Sequence, residues 1–188
     1  MCRLASWLAP IIGGAVVFAS PAARADNEAF TMDRVSLLAT VEWGTSNFDA
    51  GLGARLGYTL SPGIYLGGMF DYWFGENRTD IPLENSSPIP PSESSHGWDA
   101  LAVAGYDVGP TPNVLFRPFA GGGVLSGSSK FCPPNSGACS STSQSAGVGT
   151  IGGLLAVRIA PVMLGGDARL LFGAGTAFAI GADVGVSF

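Results

Sequence analysis

The chain has 188 residues, enough for one domain with a sizeable core, and no break in composition indicates a second domain. Charged residues make up only 12% of it, glycine accounts for 28 residues, and the mean hydropathy is +0.35, a profile that departs from soluble domains towards membrane proteins. The formal net charge of −5 argues against nucleic acid as a partner.

The N-terminus has the pattern of a cleaved export signal. Arg3 supplies the positive end, a short apolar core follows, and Ala23-Arg24-Ala25 forms an A-x-A cleavage site. An uncleaved membrane helix is the alternative, but the apolar stretch is short and is interrupted by proline and glycine. We therefore predict a signal peptide at 1–25 and a single mature domain at 26–188.

From Arg34 onwards, apolar and polar residues alternate with a period of two, which predicts strands and not helices. The clearest segment runs from Phe48 to Leu60, where one face is uniformly apolar and the other is small, polar or charged. The pattern predicts eight strands of about ten residues, a length that crosses a bilayer when the strand is tilted. They cover 35–43, 48–60, 64–74, 98–108, 116–124, 151–159, 164–172 and 176–188.

The predicted connections alternate between short turns and long polar loops. Short turns at one end and long loops at the other are typical of transmembrane barrels, with the long loops outside the cell. Pro118 lies inside the fifth predicted strand and has no N–H to donate, so we expect a bulge or a local break there. The short turns are at 61–63, 109–113 and 160–161, and the long loops are at 75–97 and 126–145.

Periodicity alone does not decide whether the apolar face points into a soluble barrel or out into lipid. Composition favours lipid, because Lys130 is the only lysine and a soluble exterior needs many charges. Aromatic residues also lie near the ends of the apolar faces, as an interfacial girdle requires. We therefore predict an all-β protein, an eight-stranded antiparallel up-and-down transmembrane β-barrel in an outer membrane, in which closure satisfies the backbone hydrogen bonds.

The face opposite the apolar one carries most of the charged residues of the predicted strands. The interior of an eight-stranded barrel is only wide enough to be filled by side chains, so we expect these charges to pair and plug the lumen. A narrow or gated ion path is the alternative. The predicted lumen network comprises Glu42, Asp49, Arg55, Asp71, Asp99, Asp107, Arg117, Arg158, Asp167, Arg169 and Asp183.

Two cysteines, Cys132 and Cys139, lie in the second long polar segment. In an exported chain the usual outcome is a disulfide, here one that stabilises a loop. A metal site is the alternative, but two thiolates without nearby histidine or acidic ligands are too few for zinc. We expect no metal and no cofactor.

An enzyme is the rival functional class, because an outer-membrane hydrolase would need a nucleophile with a base. The only histidine is His96, which follows Ser94 and Ser95 at the end of a long loop. That position is typical of a solvated loop residue, so we predict no catalytic residue. The Pro/Ser-rich loop at 75–97 is a candidate for surface recognition, or simply a solvated cover of the rim.

Three features resemble the small OmpA/OmpX-like outer-membrane β-barrel families. They are the eight alternating strands, the stretch from Arg117 to Gly123, which resembles the families' Pro-aromatic-x-Gly-rich strand, and the terminal Phe188. The resemblance implies contact with outer-membrane lipid and lipopolysaccharide, delivery by periplasmic chaperones, and insertion by the barrel-assembly machinery with Phe188 as the signal. It implies roles from envelope structure and adhesion to slow conductance.

From these observations we expect a non-enzymatic outer-membrane protein with an envelope-integrity or surface-recognition role. A narrow porin-like channel is the first alternative, and a lipid A-modifying enzyme is the second.

Overall fold

The computed structural model describes residues 33–45, 49–75, 77–79, 92–132, 139–173 and 175–188. Within these ranges, no helix is long and apolar enough to cross a membrane. The predicted signal peptide lies outside the described residues. The strands are β1 Arg34–Gly44, β2 Ala50–Leu60, β3 Ile64–Trp73, β4 Asn77–Thr79, β5 Ser92–Tyr106, β6 Val108–Thr111, β7 Val114–Cys132, β8 Ser140–Ile159, β9 Val162–Phe172 and β10 Thr176–Ser187.

The eight long strands form a closed antiparallel barrel in the order β1-β2-β3-β5-β7-β8-β9-β10. Closure comes from β10, which returns to pair with β1 from Ser36↔Ser187 to Gly44↔Ala179. The two short strands are additions to this barrel, since β4 pairs with the start of β5 and β6 with the start of β7. The predicted eight-stranded up-and-down barrel is confirmed.

Alternation along each strand divides the side chains between the exterior and the lumen. In β2, Leu52 and Leu56 are exposed on the outside, whereas Arg55 and Thr59 are buried inside. The same division holds along the barrel-forming part of the other long strands, so the exterior is a continuous apolar surface. A closed barrel with charges inside and apolar side chains outside matches a lipid environment and not water.

The lumen is packed with side chains and contains two apolar clusters. Glycines make room for larger groups: a Cβ on Gly53 would lie 1.8 Å from Asp71 Oδ1, and a Cβ on Gly57 would lie 2.2 Å from the Tyr65 ring. Small inward residues therefore lie against large ones. The first cluster comprises Tyr65, Met69, Leu101, Val103, Phe119, Val148, Leu171 and Ala177, and the second Leu38, Leu115, Leu154, Ala156 and Met163.

The two ends of the barrel differ. One, here called the turn end, carries the tight turns that follow β2, β6 and β8. At the other, the hairpin end, β7 and β8 continue to pair as far as Phe131↔Ser140, whereas β8 and β9 stop at Gly149↔Phe172. β5 extends with them, because Ser92 pairs with Cys132. We call this extension, formed by β4, 92–97 of β5, 125–132 of β7 and 140–147 of β8, the protruding sheet.

The protruding sheet corrects the prediction of long loops. Most of the predicted loop at 126–145, and residues 77–79 and 92–97 of the one at 75–97, are strand. The remaining parts, at 76, 80–91 and 133–138, lie outside the described residues. Apart from Leu125 and Phe131, the described side chains of this sheet are small or polar on both faces, so the apolar alternation that predicts a strand is absent.

The break predicted at Pro118 is also corrected. β7 runs through Pro118 without interruption, and Pro118 pairs with Gly153 in an unbroken register with β8. The irregularity lies on the opposite edge, between β5 and β6, where the backbone N–H of Asp107 donates to the carbonyl of Gly63 at 2.8 Å. The missing proline donor therefore coincides with a place where the neighbouring strand is already interrupted.

Candidate functional site

Most of the predicted lumen charges are brought together inside the barrel. Nine of the eleven are at most 4% exposed and lie on the inward face of a long strand or at its end. Arg158 points inward too, but it is half-buried near the turn end. The nine are Glu42, Arg55, Asp71, Asp99, Asp107, Arg117, Asp167, Arg169 and Asp183.

Asp49 is the exception, and its assignment to the lumen was wrong. It is exposed and lies just before β2, where its carbonyl accepts a hydrogen bond from the backbone N–H of Gly44 at 2.9 Å. Asp49 is an even number of residues from the inward residues of β2, so the alternation predicts an inward side chain. The pairing of β2 with β3 begins only at Gly51, opposite Trp73, so Asp49 lies before the paired part of the strand. Asp49 therefore lies beyond the packed lumen, in water.

Seven of the buried charges form one group, the central cluster: Glu42, Arg55, Asp71, Asp99, Asp167, Arg169 and Asp183. Glu42 joins its two arginines, because one carboxylate oxygen contacts Arg55 Nη2 and the other accepts from Arg169 Nη2 at 2.7 Å. The carboxylate therefore links β2 to β9 across the lumen.

The other carboxylates of the central cluster surround the same two guanidinium groups. Arg55 lies 3.0 Å from both Asp167 Oδ1 and Asp183 Oδ1, and Arg169 Nη2 lies 2.7 Å from Asp71 Oδ2. Neutral donors contribute as well: Thr40 Oγ1 bonds Asp183 at 2.6 Å, and Trp73 Nε1 donates to Asp99 Oδ2 at 2.8 Å.

The central cluster holds five carboxyl groups against two guanidinium groups. It also contains buried polar atoms without a hydrogen-bond partner, among them Arg55 Nη1, Asp71 Oδ1, Asp167 Oδ2 and Asp183 Oδ2. Asp99 Oδ1 and Arg169 Nη1 face each other at 3.7 Å, an ion-pair distance too long for a hydrogen bond. The cluster therefore has unused hydrogen-bonding capacity facing the lumen.

A second group, the turn-end cluster, consists of Arg34, Asp107, Arg117 and Thr59. Arg34 Nη2 lies 2.6 Å from Asp107 Oδ2, and Arg117 Nη2 bonds the same oxygen at 2.9 Å. Thr59 Oγ1 donates to it at 2.9 Å, and the Arg117 guanidinium stacks 3.5 Å from the centre of the Tyr65 ring. Two arginines thus converge on one carboxylate.

Arg34 was missing from the predicted network. It is 5% exposed, and it lies two residues before Ser36, which is buried on the inward face of β1. The alternation along β1 therefore predicts that the Arg34 side chain also points inward. It lies one residue before the predicted start of the first strand at Val35. With Arg34 included, cationic groups outnumber carboxylates at the turn end, whereas carboxylates outnumber cations in the central cluster.

The remaining predicted sites have these positions. Cys132 and Cys139 form a disulfide at the tip of the protruding sheet. His96 is exposed in that sheet, and its ring stacks on Tyr72 with centroids 6.4 Å apart. In the described parts of the chain, no three His, Cys, Asp or Glu side chains are arranged to hold a metal ion.

Phe188 completes the barrel seam. Val35 N–H donates to Phe188 O at 2.8 Å and Phe188 N–H donates to Val35 O at 3.1 Å, so the residue continues the pairing of β10 with β1. Its ring is 72% exposed on the outside. The role of Phe188 as an assembly signal stays a prediction.

Solved structures share this architecture. Ail, the attachment invasion locus protein of Yersinia pestis, matches with a TM-score of 0.59 and 13% identity, over 83% of this chain and 99% of that one. The N-terminal β-barrel domain of Pseudomonas aeruginosa OprF gives 0.51 and 18%, over 84% and 100%. A major outer membrane protein of Thermus thermophilus gives 0.58 and 12%, over 83% and 98%. The chain has the fold of the small outer-membrane β-barrels.

This outer-membrane barrel matches no family model and no curated protein by sequence. The likeness to the three solved structures therefore concerns the fold, at identities of 12 to 18%. Together with the apolar exterior, the fold places the protein in an outer membrane.

Proposed function

We propose that this outer-membrane barrel has a plugged lumen and acts at the cell surface, through the protruding sheet, in recognition or envelope integrity. The observation that carries the proposal is the continuous ladder of β5, β7 and β8, which extends beyond the barrel and ends at the Cys132–Cys139 disulfide. A ladder fixed in this way holds a constant surface outside the membrane, whereas a solvated loop does not.

The plugged state is supported by the content of the lumen. Two apolar clusters, the central cluster and the turn-end cluster occupy an interior that eight strands make only wide enough for side chains. Glu42 and Asp107 each connect two arginines, so the charged side chains hold one another in place. Opening a path would require breaking several buried ion pairs together.

Recognition is supported by the shape of the hairpin end. Apart from Leu125 and Phe131, the described side chains of the protruding sheet are small or polar on both faces, which is appropriate for a surface outside the membrane core. Among the similar structures, Ail is described in complex with sucrose octasulfate, a heparin analogue, at 14% identity and a TM-score of 0.55. We extend to this chain only the idea of a surface role.

A narrow ion path is the second candidate. It is favoured by the polar atoms of the central cluster that lack protein partners, since such atoms bind water when a cavity allows it. An enzymatic role has no comparable support: His96 is stacked on Tyr72, and none of the three similar proteins is described as an enzyme.

Conductance of the refolded mature chain in planar lipid bilayers separates the two candidates. We expect no discrete channel openings from bilayers in which heat-dependent gel mobility shows folded, inserted barrel. Reproducible single-channel steps would contradict the plugged lumen and support the ion path.

A second experiment tests the role of the protruding sheet. A variant in which residues 128–143 are replaced by a two-residue turn keeps the barrel but loses the sheet. In cells lacking the protein, we expect this variant to insert normally yet to fail to restore surface attachment or detergent resistance. Full restoration of both phenotypes would refute a role for the sheet.

A further inference from the structure

The outward face of the protruding sheet continues the lipid-facing surface of the barrel, because outward side chains recur at every second residue. The registers place these side chains in rows that cross β5, β7 and β8. The row nearest the barrel is Trp98, Ser126 and Ser145; the next is His96, Ser128 and Ser143; the third is Ser94, Lys130 and Ser141.

One side of this face is aromatic. The Tyr72 ring stacks on His96, and the Phe74 ring meets Tyr72 edge-on with centroids 5.5 Å apart. Below them, Phe70 stacks on Trp98 with centroids 6.2 Å apart. These rings form the upper margin of the aromatic girdle, the level at which a membrane passes from acyl chains to headgroups.

The other side of the face is a ladder of hydroxyl groups. Ser145 Oγ bonds Ser126 Oγ at 3.0 Å, and Ser143 Oγ bonds Ser128 Oγ at 3.2 Å. Each hydroxyl can both donate and accept, so the pairs retain capacity for a ligand. Aromatic rings beside aligned hydroxyls suit a sugar, whose apolar ring face and polar edges need both kinds of contact.

The basic residues of this face are distinctive. Lys130 is the only lysine of the chain and His96 the only histidine. Both are exposed on this face, one register step apart, since His96 pairs with Ser128 and Lys130 is the next outward residue along β7. Among strand residues whose side chains are described, Lys130 is the only charged group that points outward.

We propose that this face binds the phosphorylated sugar headgroup of lipopolysaccharide in the outer leaflet. Successive outward rows are about 7 Å apart along a strand, which puts His96 and Lys130 directly above the girdle. The Lys130 ammonium complements a phosphate, and the serine ladder and the rings complement the sugars. The face points sideways into the membrane surface and not away from the cell, so its neighbour is a lipid headgroup and not a soluble partner.

This inference depends on the outer-membrane location but not on whether the lumen conducts. The test uses the mature barrel folded in phospholipid nanodiscs and titrated with bis-phosphorylated lipid A or with the same lipid A lacking phosphates. Binding is read from tryptophan fluorescence, to which Trp43, Trp73 and Trp98 contribute, and from native mass spectrometry. We expect the wild-type protein to bind the phosphorylated form about tenfold more tightly, as for one charge-assisted contact.

The decisive variant is Lys130→Gln, with Ser129→Gln as the matched control on the opposite face of the same strand. We expect Lys130→Gln to remove most of the preference for phosphates, His96→Gln to reduce it severalfold, and Ser129→Gln to leave it unchanged. Heat-dependent gel mobility confirms that each variant is folded.

Three outcomes would overturn the proposal. They are equal affinity for the two lipid A forms, equal effects of Lys130→Gln and Ser129→Gln, and loss of binding in Trp98→Leu while Lys130→Gln binds normally. The last result would indicate ordinary contact with acyl chains. None of these outcomes bears on the conductance experiment, so the site and the plugged lumen can fail separately.

Discussion

Strands β7 and β8 each pass through two environments. In the barrel half, represented by Phe116 outside and Arg117 inside, one side of the strand meets lipid and the other meets the packed lumen. In the protruding sheet, the same two strands leave the barrel and no longer enclose the lumen, and serine recurs on both faces. One continuous ladder of backbone hydrogen bonds therefore connects two regions that differ in side-chain composition and in surroundings.

The comparison separates two sources of stability. The barrel half depends on buried charges that must be paired, because an uncompensated charge in the lumen has no access to bulk solvent. The protruding sheet depends on backbone pairing and one disulfide, because its exposed serine bonds compete with water. Substitutions of similar chemistry should therefore have very different effects in the two regions.

The largest difference is expected between Arg169→Met and Lys130→Met. The first removes the cation shared by Glu42 and Asp71 and leaves both carboxylates buried, which costs about 3–5 kcal/mol in unfolding free energy. The second removes an exposed charge and changes the unfolding free energy by less than about 0.5 kcal/mol. Urea unfolding in detergent micelles measures both free energies. Equal losses of unfolding free energy in the two variants would contradict the proposed difference between the barrel half and the protruding sheet.

A smaller difference is expected between two glycines. A Cβ at Gly53 collides with Oδ1 of Asp71, whose carboxylate is held through Oδ2 by Arg169, whereas a Cβ at Gly147 meets no atom within 4 Å. We expect Gly53→Ala to destabilise the barrel by about 1–3 kcal/mol, as overpacking does, and Gly147→Ala to be neutral or slightly stabilising. Thermal unfolding of the two variants side by side checks this, and a loss for Gly147→Ala as large as that for Gly53→Ala would exclude lumen crowding as the cause.

The smallest effect on the barrel is expected from removing the disulfide. Cys132→Ser with Cys139→Ser should leave the barrel transition within about 0.5 kcal/mol of the wild type. The cross-link acts locally, and closing so short a loop is worth about 2–3 kcal/mol to the protruding sheet. Amide hydrogen exchange should therefore accelerate at least about tenfold in 125–132 and 140–146 while 114–124 stays protected. Uniform acceleration along β7 would show that the two regions unfold as one.

The sequence predicts the barrel half well, because apolar and polar residues alternate wherever one face of a strand meets lipid and the other faces the lumen. This alternation alone predicts that Arg55, Asp71 and Arg169 point into the lumen. The alternation does not show where the buried part of a strand begins and ends, which explains the wrong assignment of Asp49 to the lumen and the absence of Arg34 from the prediction. The sequence predicts loops in place of the protruding sheet because strands without an apolar face lack the alternation, and only the pairing with neighbouring strands reveals them.

The seam between β1 and β10 has a consequence for the order of assembly. Thr40 and Asp183 bond across it from positions 143 residues apart, and Glu42 on β1 reaches Arg169 on β9 over 127 residues. The central cluster is therefore incomplete until the last strand docks. A sheet still open at this edge would present Glu42 without Arg169, and Arg55 without Asp183, to the surrounding hydrocarbon, which is costly. Completing the ion pairs of the interior and joining the two edges are thus one event.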